Sequence, residues 1–259
     1  AITVAFVRVT PSGDDCEFSA TYDFTITDEC GNQTSTSVTF SGADTTPPQQ
    51  GTPLSGQTDL QCLADLPDGA SLEAAMAATF TDNCGAVTAT FIDVVVDGTD
   101  CSFTATYNFS IADDCNNFTS ASVVYGGADT QAPELTGTLP GNLNLTCISQ
   151  LPSGPSLVEE VRAAYTDNCG LVTATYINFS LSGGECDFTV TYFYTITDEC
   201  ENSTEASVTY SGADETPPQL TGTLPGDDNL QCLADLPDGI SLESTVAAAY
   251  TDDCGDITA

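Results

Sequence analysis

The sequence predicts a mainly β, disulfide-stabilised protein of tandem sandwich-like repeats, with an 85-residue period and one short helix per unit. Three observations lead there: four cysteine columns in one register, period-two alternation of apolar residues, and one helical interruption per unit. Cys16, Cys101 and Cys186 are 85 residues apart, as are Cys30, Cys115 and Cys200. Cys62, Cys147 and Cys232 repeat the interval, and so do Cys84, Cys169 and Cys254. Thr21-Tyr22, Thr106-Tyr107 and Thr191-Tyr192 keep the same register, without insertion or deletion. A fixed period of this length marks a repeat array.

Within a unit the strands come first. From Cys101 to Ile111, Phe103, Ala105, Tyr107, Phe109 and Ile111 share one face, and the polar Ser102, Thr104, Thr106, Asn108 and Ser110 share the other. That alternation predicts a half-buried strand, repeated at 18–26 and 188–196. Upstream, 87–96 is rich in β-branched residues and ends in the turn dipeptide Asp97-Gly98. Downstream, Ala121, Val123 and Tyr125 alternate with Ser120, Ser122 and Val124, after a polar turn at 112–117. The segment 156–165 breaks the rhythm. Ser156 and Glu159 form a capping-box pattern, and apolar residues stand at Leu157, Val161 and Tyr165. It predicts about two helical turns, with counterparts at 71–80 and 241–250. A unit this small has one core, and an immunoglobulin-like β-sandwich is the expected architecture.

Gly-Ala-Asp runs followed by proline-rich segments, as at Gly42 to Pro48, mark the joints. They divide the chain into the C-terminal half of a repeat at 1–43, complete repeats at 44–128 and 129–213, and the N-terminal half of another at 214–259. The chain reads as a window of a longer repeat protein. No run of 18 apolar residues suggests direct membrane insertion within it.

Geometry limits the disulfides. Cys101 and Cys115 lie at opposite ends of one strand, roughly 33 Å apart at ~3.3 Å per residue, whereas a disulfide needs Cα atoms within about 7 Å. If 86–96 and 101–111 form a hairpin, Cys84 returns to the end that holds Cys115. The expected bridges are therefore Cys62–Cys101 and Cys84–Cys115, repeated as Cys147–Cys186 and Cys169–Cys200, with Cys16 left unpaired. Bridges between neighbouring units are the competing reading.

Composition narrows the function. Against 38 Asp plus Glu stand Arg8 and Arg162 alone, with no lysine or histidine, giving a net charge of −36. Nucleic-acid binding lacks its cations, and nucleophiles paired with histidine or Schiff-base lysines lack their residues. No enzyme is expected. Twelve cysteines point to an oxidising, extracellular or cell-surface setting.

Asp44-Thr-Thr-Pro-Pro48, Thr81-Asp-Asn-Cys-Gly85, Tyr107 leading to the Asp113 turn, and Thr27-Asp-Glu-Cys-Gly-Asn32 together resemble hyalin-type (HYR-like) repeats. Tandem versions with extra cysteines occur in secreted surface proteins and gliding-motility adhesins of Bacteroidota. The resemblance covers the whole chain and implies an immunoglobulin-like sandwich with a role in adhesion or extracellular scaffolding. Asn116 and Glu201 stand where Gly31 does, so the turn need not require glycine.

Acidic residues recur at one pole of each unit: Asp82 and Asp167 before a cysteine, Asp113, Asp114, Asp198 and Glu199 in the strand turn, and Asp44 and Asp129 in the entering linkers. Convergent carboxylates of this kind suit Ca²⁺, and the expectation is a joint stiffened by calcium. Asn32, Asn117 and Asn202 head N-x-Ser/Thr sequons in one exposed turn column, a candidate glycosylation site. The expected function is a structural array forming the stalk or fibril of a large bacterial surface protein. Its partners would be neighbouring repeats, other copies in a fibril, and glycans. The alternative is an adhesin whose repeats themselves bind glycan or surface ligands.

Overall fold

The computed structural model describes residues 1–141, 144–226 and 230–255, in two compact units, Ala1–Asp129 and Thr130–Ala259. The chain is mainly β, with one short helix in each repeat frame.

In the first unit, β1 (Thr3–Gly13), β2 (Glu17–Thr27) and β3 (Gln33–Ala43) form an antiparallel meander. After the short β4 (Gln49–Gln50) come α1 (Glu73–Ala77) and β5 (Phe80–Thr81), which pairs back with β4. A second meander follows: β6 (Val87–Thr99), β7 (Ser102–Asp113) and β8 (Phe118–Gly127). The expected alternation on β7 is realised. Phe103, Ala105, Tyr107, Phe109 and Ile111 are all buried, against Val123 and Tyr125 of β8, Met76 of α1 and Phe80 of β5. The repeat is thus two-layered: the meander is one layer, and the segment before it, with α1 and the β4–β5 ribbon, is the other. The Tyr107 hydroxyl donates to the Pro67 carbonyl at 2.7 Å, tying the layers together.

The second unit repeats the plan. It holds β9 (Glu134–Leu135), β10 (Asn144–Leu145), α2 (Val158–Ala163), β11 (Tyr165–Thr166), β12 (Thr173–Gly184), β13 (Asp187–Thr197) and β14 (Ser203–Gly212). After these come β15 (Gln219–Leu220), α3 (Gly239–Ala247) and β16 (Tyr250–Thr251). β10 adds a parallel strand to the β14 edge. Val161 of α2 and Val190, Tyr192, Tyr194 and Ile196 of β13 form the core. The Tyr194 hydroxyl donates to the Gly154 carbonyl at 2.9 Å, and burial pushes its pKa to about 12.

Several features depart from the sequence reading. The first strand of each meander carries a bulge at the same place, after Phe6, Phe91 and Tyr176. The helices are shorter than two full turns in the first two frames. Ser156 does not cap α2; its hydroxyl donates to the Ser153 carbonyl at 2.7 Å, within a 3-10 turn over Gly154–Leu157. The turn after β7 does keep the glycine-like backbone, because Asn116 (φ 64°) and Glu201 (φ 69°) both adopt the left-handed conformation of Gly31 (φ 84°). For the glutamate that costs about 1–2 kcal/mol of backbone strain.

The disulfides also differ. Cys115 bonds Cys16, not Cys84, and Cys147 bonds Cys254, not Cys186. Cys62, Cys101, Cys169 and Cys200 are disulfide-bonded too, while Cys30, Cys84, Cys186 and Cys232 are free thiols. The reason is visible at Asp44. Its amide donates to the Cys16 carbonyl at 3.2 Å, and its carbonyl accepts from Asn117 Nδ2 at 3.3 Å. The β1–β2 turn is thereby held beside the β7–β8 turn of the next repeat, a neighbour that hairpin geometry within one repeat leaves out.

Phe109→Ala should destabilise its unit by about 3–5 kcal/mol, the cost of emptying a buried aromatic site. Phe24→Ala, at the equivalent but half-covered position of β2, should cost a fraction of that. Denaturant melts of the two variants measure the difference.

Candidate functional site

The candidate site is the set of acidic turns at the repeat ends. Each is built on an aspartate that folds its own loop. Asp113 is buried; its Oδ1 accepts from the amides of Cys115 (2.7 Å) and Asn117 (2.9 Å), and its Oδ2 from Asn117 Nδ2 (2.9 Å). Asp28 and Asp198 make the same three bonds to Cys30 and Asn32, and to Cys200 and Asn202. An aspartate two and four residues before the donors is a local solution that needs no tertiary partner. Burial opposes ionisation of Asp113, but bonds from the Asn117 side chain and amide and from the Cys115 amide outweigh it and hold the carboxyl below its usual range. At the more exposed Asp28 the Asn32 side chain is the main cause of a shift in the same direction.

The other predicted acids are placed as follows. The Asp44 carboxylate accepts from the Thr46 amide (3.1 Å) and reaches Asn117 Nδ2 (3.5 Å). Carboxylate oxygens of Asp44 and Asp113 and the sulfur of Cys115 lie within 4.8 Å of one another, with the sulfur spent in its bond to Cys16. Asp82 and Asp167 accept from the amides of Cys84 and Cys169, each at 2.9 Å, through one oxygen. The second oxygen of each is buried without a hydrogen-bond partner. Asp114 accepts from the Ala86 amide at 3.2 Å, Glu199 faces Gly170, and the Asp129 amide donates to the Asp100 carbonyl at 2.8 Å. Asp167 lines a small cavity of about 210 Å³ with Gln131, Glu134, Thr166 and Asn168.

Among the described residues, neither arginine side chain pairs with these turns. Arg8 pairs with Asp23 (2.8 Å) and Arg162 with Glu159 (3.0 Å). Asp44, Asp113 and the orphan oxygen of Asp82 are oxygen donors of the type Ca²⁺ takes, although six to eight are needed for a full shell. Asp113 already accepts three hydrogen bonds, which limits its share.

The turn asparagines have a structural task that the sequon pattern conceals. Asn117 uses its amide nitrogen on both Asp113 and Asp44, which leaves that nitrogen poorly placed for a glycan. Two further acids have no counterpart in the sequence reading: Asp100 Oδ1 accepts from the Leu63 amide (2.6 Å), and Glu185 Oε2 does the same for Ile148 (3.2 Å). The available signal was an acid before Cys16, Cys101 and Cys186 in every frame.

No family model matches the chain, and no curated protein matches it. Among solved structures, the EC1–4 fragment of PcdhgB3 aligns at 8% identity and TM-score 0.28, covering 83% of this chain and 67% of that one. The protocadherin gammaB4 extracellular domain aligns at 12% and TM-score 0.26, over 82% and 45%. A SusE-like surface located polysaccharide binding protein from Bacteroides thetaiotaomicron aligns at 9% and TM-score 0.16, over 84% and 55%. The chain spans less than two thirds of the second and third. Likenesses at this level do not define a fold, which rests on the strands described above.

Asp113 and Asp28 contribute stability that is complete above the unfolded aspartate range and is lost as pH falls from there through their lower folded values. The melting temperature should therefore decline from about pH 5 downward. Asp113→Asn sets a donor against Asn117 Nδ2; it should lower the melting temperature at neutral pH and make the acid decline shallower.

Proposed function

We propose that the chain is a non-catalytic structural array of an extracellular or cell-surface protein, of the stalk or fibril kind suggested by its hyalin-type resemblance. One observation carries this reading. Cys16–Cys115 and Cys147–Cys254 span 99 and 107 residues, each longer than the 85-residue period, so each bond ties one repeat to the next. Closing a loop of that size is worth about 4.7 kcal/mol in the chain-entropy model. Such bonds persist in oxidising surroundings, which supports an extracellular location. Covalent ties between successive repeats resist extension and bending, the demand made on a spacer. The inward setting of Phe103, Tyr107 and Phe109 on β7 and of Phe188, Tyr192 and Tyr194 on β13 supports a scaffold over a glycan-binding surface. Single-molecule pulling should show little extension at forces that unfold the reduced chain. Saturable binding of the oxidised chain to a defined glycan would favour the adhesin reading instead.

The joints supply a second element, a bound Ca²⁺ on Asp44, Asp113 and Asp82. Supporting it are the Asp44–Asp113 approach and the orphan oxygens of Asp82 and Asp167. With a net charge of −36, any divalent cation at a joint also relieves repulsion. Calcium should raise the melting temperature of the chain and chelator lower it, with Asp82→Asn shrinking the difference; identical curves would remove the cation from the account.

A further inference from the structure

One row of side chains crosses the outward face of each meander just after the bulge in its first strand. In β1–β3 the row is Arg8, Asp23 and Ser37; in β6–β8 it is Asp93, Asn108 and Ser122; in β12–β14 it is Asn178, Phe193 and Ser207. The first two rows close on themselves. Arg8 Nε donates to Asp23 Oδ2 and the Ser37 hydroxyl to Asp23 Oδ1, each at 2.8 Å. Asn108 Nδ2 donates to Asp93 Oδ1 at 2.7 Å. The third row stays open: among the described residues, the Asn178 side chain has no hydrogen bond and Phe193 has no ring partner.

Phe193 is 39% exposed and the bulge residue Ile177 is 52% exposed. With Asn178, Thr195 and Glu205 they line an open groove of about 410 Å³ that runs across the three strands. Glu205 is as particular to this repeat as Phe193, since the same column holds Ser35 and Ser120 elsewhere. Phe193 faces Ser207 across the ladder, so Glu205 is its diagonal neighbour, roughly 7–8 Å away. The groove therefore has an aliphatic wall at the edge strand, a ring in the middle and a carboxylate beyond. That order matches an alkyl stem with a cationic head, which lays its carbons on apolar surface and keeps its charge at a polar end. Ring and carboxylate together favour a guanidinium, which is planar, weakly hydrated and able to stack while it donates, over a compact, strongly hydrated ammonium. The row in β1–β3 already holds such a group, with the Arg8 guanidinium laid across the strand pair to reach Asp23. In β12–β14 the cation has to come from outside. The chain has no lysine, and Arg8 and Arg162 are paired with Asp23 and Glu159.

We propose that the outward groove of β12–β14 takes an arginine side chain from a basic partner protein. The guanidinium stacks on Phe193 and donates to the Glu205 carboxylate and the Asn178 side-chain carbonyl, while the arginine methylenes lie against Ile177. Charge complementarity selects the partner: a net charge of −36 draws cationic segments to the surface, and the groove then holds one side chain of such a segment. A stalk needs no groove of this kind, so it gives one repeat a recognition role beyond spacing. Repeat 44–128, whose row is closed by Asp93 and Asn108, is the comparison within the same molecule.

The test is a nuclear magnetic resonance titration of the whole chain, isotope-labelled in its phenylalanine rings and asparagine side chains, with Nα-acetyl-arginine methylamide. A saturable shift confined to the Phe193 ring and the Asn178 side-chain amide is expected, with Asn108 unmoved. The neutral citrulline analogue should leave all three in place, and the lysine analogue should bind more weakly than the arginine one. Phe193→Asn and Glu205→Ser each install the residue found in repeat 44–128, and each should weaken binding about twofold to fivefold. Both side chains are exposed, so the melting temperature of the two variants should stay that of the parent. Shifts spread over the acidic surface and unchanged in both variants would overturn the groove in favour of general charge attraction. A citrulline or lysine analogue that binds as well as the arginine one would overturn the guanidinium. Maltohexaose shifting Phe193 and Asn178 where the arginine compound does not would make the groove a glycan site instead. Each of these failures leaves the resistance of the array to extension untouched.

Discussion

A three-stranded meander with one apolar face cannot bury that face by itself, and the rest of this structure follows from that constraint. A sheet that is apolar on one face has to bury that face against another layer. Here the cover comes from the residues preceding each meander: the extended segment, the 3-10 turn and a helix of about a turn and a half. Met76, Phe80 and Leu66 cover β6–β8, and Leu157, Val161 and Tyr165 cover β12–β14. The folding frame is therefore cover first and sheet second, which is also where the proline-rich joints divide the sequence.

A small repeat buries a smaller share of its surface than a large domain does, and this one also carries the repulsion of a strongly acidic surface. Two devices offset these costs. Aspartate-centred turns convert part of the acidity into local order, each carboxylate collecting backbone amides and an asparagine side chain. Disulfides reaching past the repeat boundary remove chain entropy over about 100 residues at a time. Asp44 links the two devices, because it bonds the turn that carries Cys16 and the turn that carries Cys115.

Much of this was legible in the sequence. Alternation on the central strands named the buried face of β7 residue by residue, since period two follows from strand geometry alone. The Asp-x-Cys and Asn positions of the turns were equally visible, because their bonds are local. The caps were misread at Ser156: a serine followed by glutamate fits a capping box, but the chain enters α2 through a 3-10 turn whose own carbonyl takes the hydroxyl. The bulges escaped because one extra residue leaves apolar runs such as Val94-Val95-Val96 unchanged to the eye.

The sequence by itself determined the period, the strand faces, the acidic turns and the absence of basic partners, all properties of residues close along the chain or of exact recurrence. Only the tertiary structure decided the cysteine partners. Hairpin geometry places the two ends of one strand correctly but says nothing of the next repeat, and Cys115 meets Cys16 because a turn 99 residues away is held there by Asp44. It also decided which turn positions carry strain: Glu201 adopts a glycine's backbone because the Asp198 turn closes only with a left-handed residue at that position.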